Sequence, residues 1–158
     1  MNKLTWISQL HLEPHIEGGY FRRTYQSQCN TLVAAGARPL MSSIYYMLTD
    51  DSPIGYFHRN QSDIIHYWHA GEPVHYSLIS PAGILEHHVL GPGHEQQLQL
   101  TVPGGHWKAS QLKHGEFGLL SEAVCPGFEY LDMELATADQ MQSDFYSLFN
   151  EIKHLIKP

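Results

Sequence analysis

The sequence predicts an all-β fold, a sandwich or barrel of short strands with a short helix at each end. Strand-like runs recur through residues 42–135 at intervals of about ten residues, a spacing typical of such folds. Turns rich in glycine and proline separate the runs, as at residues 81–83. A strict alternation, typical of a half-buried strand, places Leu98, Leu100 and Val102 on one face.

Helical spacing of apolar residues is confined to the two ends of the chain. The stripe of the first helix comprises Leu4, Ile7 and Leu10, and that of the second comprises Phe149, Ile152 and Ile156. Pro14 ends the first pattern, because proline does not continue a helix. Thr137 and Gln140 have the spacing of a capping box before the second stripe. The second stripe predicts packing and not a site.

Composition and charge exclude several classes of function. The chain has 158 residues, which predicts one domain over residues 1–158, and a formal net charge of −7. No cluster of Lys and Arg exceeds Arg22-Arg23, so neither nucleic acid nor an anionic membrane surface is expected as a partner. Cys29 and Cys125 lack the spacing of a metal or redox motif. Without a signal peptide or a long apolar run, the chain is predicted to be cytoplasmic, with both thiols free.

Two segments carry the most informative pattern in the chain. Residues 58–71 read HRNQSDIIHYWHAG, and residues 101–107 read TVPGGHW. Further segments with characteristic order are Glu17-Gly18-Gly19, Ser43-Ile44-Tyr45-Tyr46, Phe57-His58-Arg59, Pro126-Gly127-Phe128 and Asp132-Met133-Glu134-Leu135. The two motif segments resemble those of the cupin superfamily. The whole set, over residues 4–140, is similar to the narrower cupin family DUF985, whose members are described as predicted sugar epimerases.

The resemblance implies a specific architecture. It implies a double-stranded β-helix, the cupin jelly-roll barrel, with a pocket for a small molecule inside. It also implies a homodimer, because related cupins pair through an N-terminal strand and barrels of this kind have sheet edges to cover. The expected ligand is a sugar or a sugar-like compound.

Departures from the superfamily pattern concern the metal ligands. Overlaid on the cupin motifs, His58 and Asn60 occupy the two histidine positions of the first motif, Ile64 the carboxylate position, and Lys108 the histidine position of the second. A divalent metal needs several nitrogen, oxygen or sulfur donors, which isoleucine and a protonated lysine do not supply. We therefore predict no metal and no cofactor. A metal-dependent oxygenase remains a further alternative.

The first motif also supplies candidate catalytic residues. Ile64, His66 and Trp68 share one face of an ideal strand, and the resemblance places Ile64 inside the barrel. His66 is then either a general base or hydrogen-bond donor to a ligand, or a core histidine held by one hydrogen bond. His58 is a second catalytic candidate, and Tyr46 is a candidate acid on the opposite face of a ligand.

Ligand-binding candidates come from several segments. Tyr20 and Arg22 share a strand face that suits a sugar, phosphate or carboxylate; the alternative is an edge or dimer strand with solvated arginines. Asp132 and Glu134 alternate onto one face and either orient a histidine or face water. The predicted ligand-binding residues are Tyr20, Arg22, Asp63, Trp68, Asp132 and Glu134.

The predicted function is binding of a small molecule inside the barrel. Its enzymatic form is a metal-independent epimerase or isomerase acting on a sugar-like compound. Such chemistry requires a base, an acid and a group that stabilises an enolate, and the residue types for all three are present. The alternative is a ligand-binding or sensor protein without catalysis.

Overall fold

The computed structural model describes residues 1–158, and it consists mainly of two antiparallel β-sheets that pack face to face. The strands are β1 (Glu13–Pro14), β2 (Tyr20–Gln26), β3 (Asn30–Val33), β4 (Gly36–Pro39), β5 (Ser42–Thr49), β6 (Ile54–Asn60), β7 (Asp63–Gly71), β8 (Val74–Ile79), β9 (Leu85–Leu90), β10 (Gln99–Val102), β11 (Trp107–Leu112), β12 (Phe117–Cys125) and β13 (Met133–Leu135). The helices are α1 (Lys3–Leu10), α2 (Ala138–Asp144) and α3 (Phe149–Ile152), with 3-10 turns at Tyr130–Asp132 and Lys153–Leu155.

Strand order confirms the predicted fold class, an all-β jelly roll with short terminal helices. The six-stranded sheet has the order β1-β2-β5-β12-β7-β10, and the five-stranded sheet has the order β13-β6-β11-β8-β9. The remaining two strands, β3 and β4, form a separate hairpin. Neighbours along the chain often lie in different sheets, as β5 and β6 do, which is how the chain closes around an interior.

The space between the sheets is apolar at one end and polar at the other. The apolar part contains Tyr76 and Leu78 from β8 together with Leu100 and Val102 from β10, all buried. Burial of such side chains is the main source of stability in a domain of this size. The polar part contains charged side chains from β6, β7, β11 and β12, described below.

The C-terminal segment covers the outer face of the five-stranded sheet. Ile152 and Ile156 pack there with Phe57 of β6 and Trp107 of β11, and Phe149 lies beside them, as the apolar stripe predicts. The segment is not one helix, because α3 ends at Ile152 and a 3-10 turn follows.

The helix termini follow the expected chemistry in part. Thr137 is the N-cap of α2, and its hydroxyl accepts a hydrogen bond from the Gln140 N–H at 3.3 Å. The Gln140 side chain donates instead to Glu134, so only half of the predicted capping box forms. In α1, Ile7 and Leu10 pack on the barrel, whereas Leu4 at the start of the helix is 67% exposed.

Two observations concern the surface. Beyond Phe21 no strand pairs with the outer edge of β2, and this is the edge through which the predicted homodimer would form. None of the helices combines the length and apolar character that crossing a bilayer requires.

Cross-strand register brings the polar interior residues together. Lys108 of β11 pairs with His58 of β6, and Glu122 of β12 pairs with His66 of β7. Side chains directly opposite on adjacent strands lie close to one another. Alternation along β6 directs both His58 and Asn60 inward, and both are buried.

Gly18 provides a test of how tightly the loop before β2 is held. Its φ is +95°, and a Cβ there would lie 2.0 Å from the carbonyl oxygen of Ile54. Gly83 also has a positive φ, +79°, but a Cβ there would meet nothing closer than 3.8 Å. We expect Gly83→Ala to lower the free energy of unfolding by about 1 kcal/mol, from backbone strain alone. We expect Gly18→Ala to lower it by about 3 kcal/mol or more, because a steric clash adds to the strain.

Denaturant unfolding of both variants and the wild type measures these values. Equal losses for Gly18→Ala and Gly83→Ala would show that the loop moves away from Ile54 without cost.

Candidate functional site

A narrow cavity opens into the polar part of the barrel. Its closed volume is about 30 Å³. This is enough for a functional group of a ligand, since one water needs about 10–15 Å³ by the same measure. The lining residues are His15, Glu17, Phe21, Arg23, Ile44, His58, Asn60, Ile64, Glu122, Val124 and Phe128. The polar members concentrate on the loop before β2 and on β6, whereas β5 and β7 contribute apolar walls.

Glu17 and His58 form a buried pair that shares one proton. His58 Nδ1 lies 2.7 Å from the carbonyl oxygen of Tyr56, which only accepts, so Nδ1 carries a hydrogen. His58 Nε2 lies 3.1 Å from Glu17 Oε2. If His58 is neutral, Nε2 only accepts and the Glu17 carboxyl must carry a proton; if His58 is charged, the proton is on Nε2. In both states one proton lies between the two groups.

Burial determines where that proton resides. It raises the pKa of Glu17 to about 8, against the opposing influence of the Lys108 charge. Burial and the Lys108 charge also hold the pKa of His58 well below its usual value. At neutral pH the pair is therefore a neutral imidazole accepting a hydrogen bond from a carboxylic acid.

His15 completes this side of the cavity. Its Nδ1 accepts a hydrogen bond from the Glu17 N–H at 3.3 Å and lies 3.5 Å from Glu17 Oε2. Burial lowers the pKa of His15 to about 4, so the ring is neutral at neutral pH. Its ring also packs edge-on against Phe21 at 4.3 Å between centroids. His15 fixes the backbone from which Glu17 projects.

A second buried cluster consists of Lys108, His66 and Glu122. Lys108 Nζ lies 3.2 Å from His66 Nε2, and His66 Nδ1 lies 3.2 Å from Glu122 Oε1. Because an ammonium only donates, His66 Nε2 accepts and Nδ1 carries the hydrogen. Lys108 Nζ also lies 3.6 Å from Glu122 Oε2.

Charge balance in this cluster keeps Glu122 ionised. Burial alone would raise the pKa of Glu122, but Lys108 and His66 more than offset it, and the pKa falls below its ordinary value. Burial and the Lys108 charge lower the pKa of His66. The cluster is thus an ammonium and a carboxylate linked by a neutral imidazole.

The four positions that carry metal ligands in the wider superfamily surround one small void. His58, Asn60, Ile64 and Lys108 all line a space of about 10 Å³ that adjoins the cavity. Ile64 offers no donor atom, Lys108 brings a positive charge, and both nitrogens of His58 are engaged with protein groups. No group of three or more His, Cys, Asp or Glu side chains in the chain is arranged to hold a metal ion. These residues do not fit a metal centre.

The chain that carries this site matches a known protein family. The family model described as Cupin superfamily (DUF985) matches residues 4–136. The chain belongs to the DUF985 family of cupins. It is 35% identical to uncharacterized protein YML079W of Saccharomyces cerevisiae over 169 aligned positions, covering 96% of this chain and 79% of the yeast protein.

Solved structures agree with the family assignment. A hypothetical protein from Leishmania major matches with a TM-score of 0.92 and 29% identity, over 100% of both chains. Protein SO0799 from Shewanella oneidensis matches with a TM-score of 0.91 and 31% identity, over 100% of this chain and 99% of the other. Oxalate decarboxylase from Bacillus subtilis matches 94% of this DUF985 chain with a TM-score of 0.58. At 16% identity and 37% coverage of that enzyme, the match shows a shared fold alone.

The three predicted catalytic residues lie at different depths. His58 lines the cavity. His66 is fully buried behind it and contacts Tyr76, Lys108 and Glu122. Tyr46 does not line the cavity; its hydroxyl donates to the Gly18 carbonyl at 2.9 Å, and burial raises its pKa well above the ordinary value.

The predicted ligand-binding residues of the N-terminal strand, Tyr20 and Arg22, face away from the cavity. Tyr20 donates to Asp51 and Arg22 to the Leu10 carbonyl, both at the surface. The side chains that line the cavity are the alternate pair, Phe21 and Arg23. A period of two separates the faces of a strand but does not say which face is inward.

The remaining predicted ligand-binding residues have structural partners away from the cavity. Asp63 accepts a hydrogen bond from the Gly104 N–H, and Trp68 donates to the Glu72 carbonyl. Asp132 pairs with Arg38, and Glu134 pairs with Arg59 at 2.7 Å, so neither orients a histidine.

Sequence reasoning missed four charged or titratable residues of the site. His15 and Glu17 precede the first long strand, where nothing in the spacing links them to His58. In the sequence, Lys108 stands out only as an obstacle to metal binding, and no motif singles out Glu122. Charged residues at positions that otherwise continue an apolar strand face were the available signal, since such residues are almost never buried without a partner.

Glu17→Gln should change how stability depends on pH. Between pH 6.5 and 8 the unfolded chain has lost the Glu17 proton, because the ordinary pKa is 4.5, while the folded chain keeps it until about pH 8. The wild type should therefore lose about 1 kcal/mol of stability per pH unit over this window. A glutamine keeps an N–H donor for His58 but does not titrate, so the variant should lose this slope.

Urea unfolding at several pH values measures the slopes. Glu13→Gln, an exposed site, is the matched control and should behave like the wild type. A Glu17→Gln variant that retains the wild-type slope would contradict the raised pKa.

Lys108→Met should destabilise the protein through Glu122. Removal of one partner leaves a buried carboxylate unpaired, which typically costs about 3–5 kcal/mol. The double variant Lys108→Met/Glu122→Gln removes both charges and should recover at least half of that loss. Chemical denaturation of both variants tests this, and equal stabilities would contradict the pairing.

Proposed function

We propose that this cupin binds a small organic molecule in its barrel and catalyses metal-independent proton transfer on it, as an isomerase or epimerase. The observation that supports this most directly is the 3.1 Å contact between Glu17 Oε2 and His58 Nε2 at the wall of the cavity, while His58 Nδ1 is held by the Tyr56 carbonyl. A carboxyl group with a pKa of about 8 can act as an acid and as a base near neutral pH.

The positions of Glu17 and His58 favour proton transfer on one face of the ligand. Glu17 and His58 both lie on the same wall of the cavity, and Tyr46, the predicted acid, is turned away from it. A group on one wall can remove a proton from one carbon and return it to the neighbouring carbon. This is the chemistry of an isomerase, whereas epimerisation needs a second group on the opposite face.

The shape of the cavity limits which part of the ligand is enclosed. The closed volume of about 30 Å³ holds a few atoms, so the rest of a sugar-like compound lies in the mouth. Phe128 and Arg23 border that mouth, with the guanidinium carbon 6.0 Å from the ring centre. Aromatic rings pack against sugar carbons, and a guanidinium binds hydroxyl, carboxylate or phosphate oxygens.

Binding without catalysis is the second candidate. It is favoured by the narrowness of the closed cavity, which admits only part of a ligand. In both cases a ligand would stabilise the folded protein. Only an enzyme would also convert that ligand into a product.

A panel of monosaccharides, sugar phosphates and nucleotide sugars should be tested for both properties. We expect at least one compound to raise the melting temperature, because a ligand that binds only the folded state stabilises it. That compound should undergo isomerisation with uptake of solvent deuterium, detected by NMR.

The variant Glu17→Gln separates the candidates. It should bind the same compound within a few-fold and lose about 100-fold or more in turnover, as is typical when a general acid–base group is removed. Glu13→Gln should retain full turnover. Stabilisation by a ligand that the wild type leaves chemically unchanged would favour the binding protein.

A further inference from the structure

A buried polar atom that lacks a partner lies beside the void. His106 lines the void, and its Nδ1 is buried and forms no hydrogen bond. Asn60 is 7% exposed and lines both the void and the cavity, where its side-chain amide can donate to a ligand. Buried polar groups are usually satisfied, so each such group needs an explanation.

Lys108 also has hydrogen-bonding capacity to spare. An ammonium has three N–H donors. One reaches His66 Nε2 at 3.2 Å, and a second is directed toward Glu122, whose carboxylate lies 3.6 Å away. At least one donor remains, and the Lys108 side chain lines the void.

The size of the void sets the kind of group that enters it. Its volume is about 10 Å³, about a third of that of the cavity. A carboxylate or a phosphate would bring two or three oxygens, whereas a carbonyl brings one. The donors of Lys108 and Asn60 match an oxygen acceptor.

The void and the cavity share three lining residues, His58, Asn60 and Ile64. Glu17 lines the cavity and contacts the shared residue His58. A ligand that spans both spaces would have its oxygen in the void and the adjacent carbon on the side where Glu17 lies.

We propose that Lys108, Asn60 and His106 form a subsite for one carbonyl oxygen, and that the substrates are small carbonyl compounds with a C–H bond next to the carbonyl. This inference rests on the proposed function, because Glu17 is the group that removes the proton. In the wider superfamily a metal ion occupies the corresponding position; here an ammonium takes over the role of the positive charge.

The reaction balances without a further reagent. The ionised Glu17 carboxylate takes the proton from the carbon next to the carbonyl. The C–H electron pair forms the new carbon–carbon double bond, and the carbonyl π pair moves onto oxygen. Lys108 and Asn60 donate hydrogen bonds to the resulting enolate oxygen, where negative charge develops. Where the carbon that lost the proton also carries a hydroxyl group, the proton of that hydroxyl moves to the enolate oxygen. Glu17 then returns its proton to the former carbonyl carbon, the hydroxyl oxygen becomes the new carbonyl oxygen, and the isomer results.

Dihydroxyacetone in deuterated buffer is a suitable probe, because enolisation replaces its carbon-bound hydrogens with deuterium. Proton NMR follows the loss of signal. We expect the wild type to accelerate exchange over buffer, increasingly as the pH rises toward 8.

Asn60→Ala should lower the exchange rate about 100-fold, a loss typical of a missing oxyanion donor. It should act mainly on kcat and little on KM, because the donor interacts most strongly with the enolate. His106→Leu should also lower kcat. The exposed residues Asn150 and His94 provide the controls Asn150→Ala and His94→Leu, which should match the wild type.

Lys108 is tested in the double variant Lys108→Met/Glu122→Gln. This variant removes the ammonium and the carboxylate together, so that neither is left buried without its partner. It should lose exchange activity while remaining folded by circular dichroism.

Each outcome has a distinct meaning. If Glu17→Gln abolishes exchange but the Asn60, His106 and Lys108 variants retain it, the oxygen subsite is wrong and the proposed function stands. If the wild type neither binds nor exchanges dihydroxyacetone but isomerises another compound of the panel that lacks a free carbonyl, the substrate class is wrong. If neither the wild type nor any variant exchanges dihydroxyacetone faster than buffer alone, and no panel compound reacts, both proposals fail.

Discussion

A buried ammonium group constrains the interior of this barrel. Lys108 is 4% exposed, and its ammonium lies close to His66 and Glu122. A charge in such a place is stable only when an opposite charge and hydrogen bonds compensate the lost hydration. Glu122 supplies the opposite charge and His66 supplies the hydrogen bond. The three strands that carry them are thereby fixed relative to one another.

The same charge affects the state of the other titratable pair. Because Lys108 and Glu122 already neutralise each other, an ionised Glu17 would have no cationic partner of its own within the barrel. Burial therefore keeps Glu17 protonated up to about pH 8, and it also keeps His58 neutral. The interior is thus neutral overall at neutral pH, yet it holds a proton that can be transferred. Acid–base capacity here is a consequence of how the charges pair, and not of any one residue.

The sequence was sufficient for the fold because the fold depends on patterns of adjacent residues. Short runs, glycine and proline turns and the two motif segments predicted the barrel and its terminal helices. It was also sufficient to recognise that Ile64 and Lys108 are incompatible with a metal centre. The site was harder to predict because its contacts join distant segments. Glu17 and His58 are 41 residues apart, and only the packing of the loop before β2 over the barrel brings them together.

Strand parity explains the errors on the N-terminal strand. The alternation separated Tyr20 and Arg22 from Phe21 and Arg23 correctly, but both faces carry one aromatic ring and one guanidinium. Composition gave no reason to prefer either face. The deciding factor is the pairing of β2 with β5, which directs Phe21 toward His15 and leaves Tyr20 beside Asp51.

Replacement of a metal by an ammonium also limits the chemistry of the site. A metal ion can change its ligands and, for some metals, its oxidation state, whereas Lys108 supplies only a fixed positive charge and N–H donors. A fixed charge lowers the energy of an oxyanion but does not activate oxygen or carry electrons. Proton transfer is the reaction class that needs nothing more than such a charge and a group of matched pKa. Lys108 and Glu17 line two neighbouring spaces that share His58, Asn60 and Ile64, and the proposed reaction requires one small ligand to contact both.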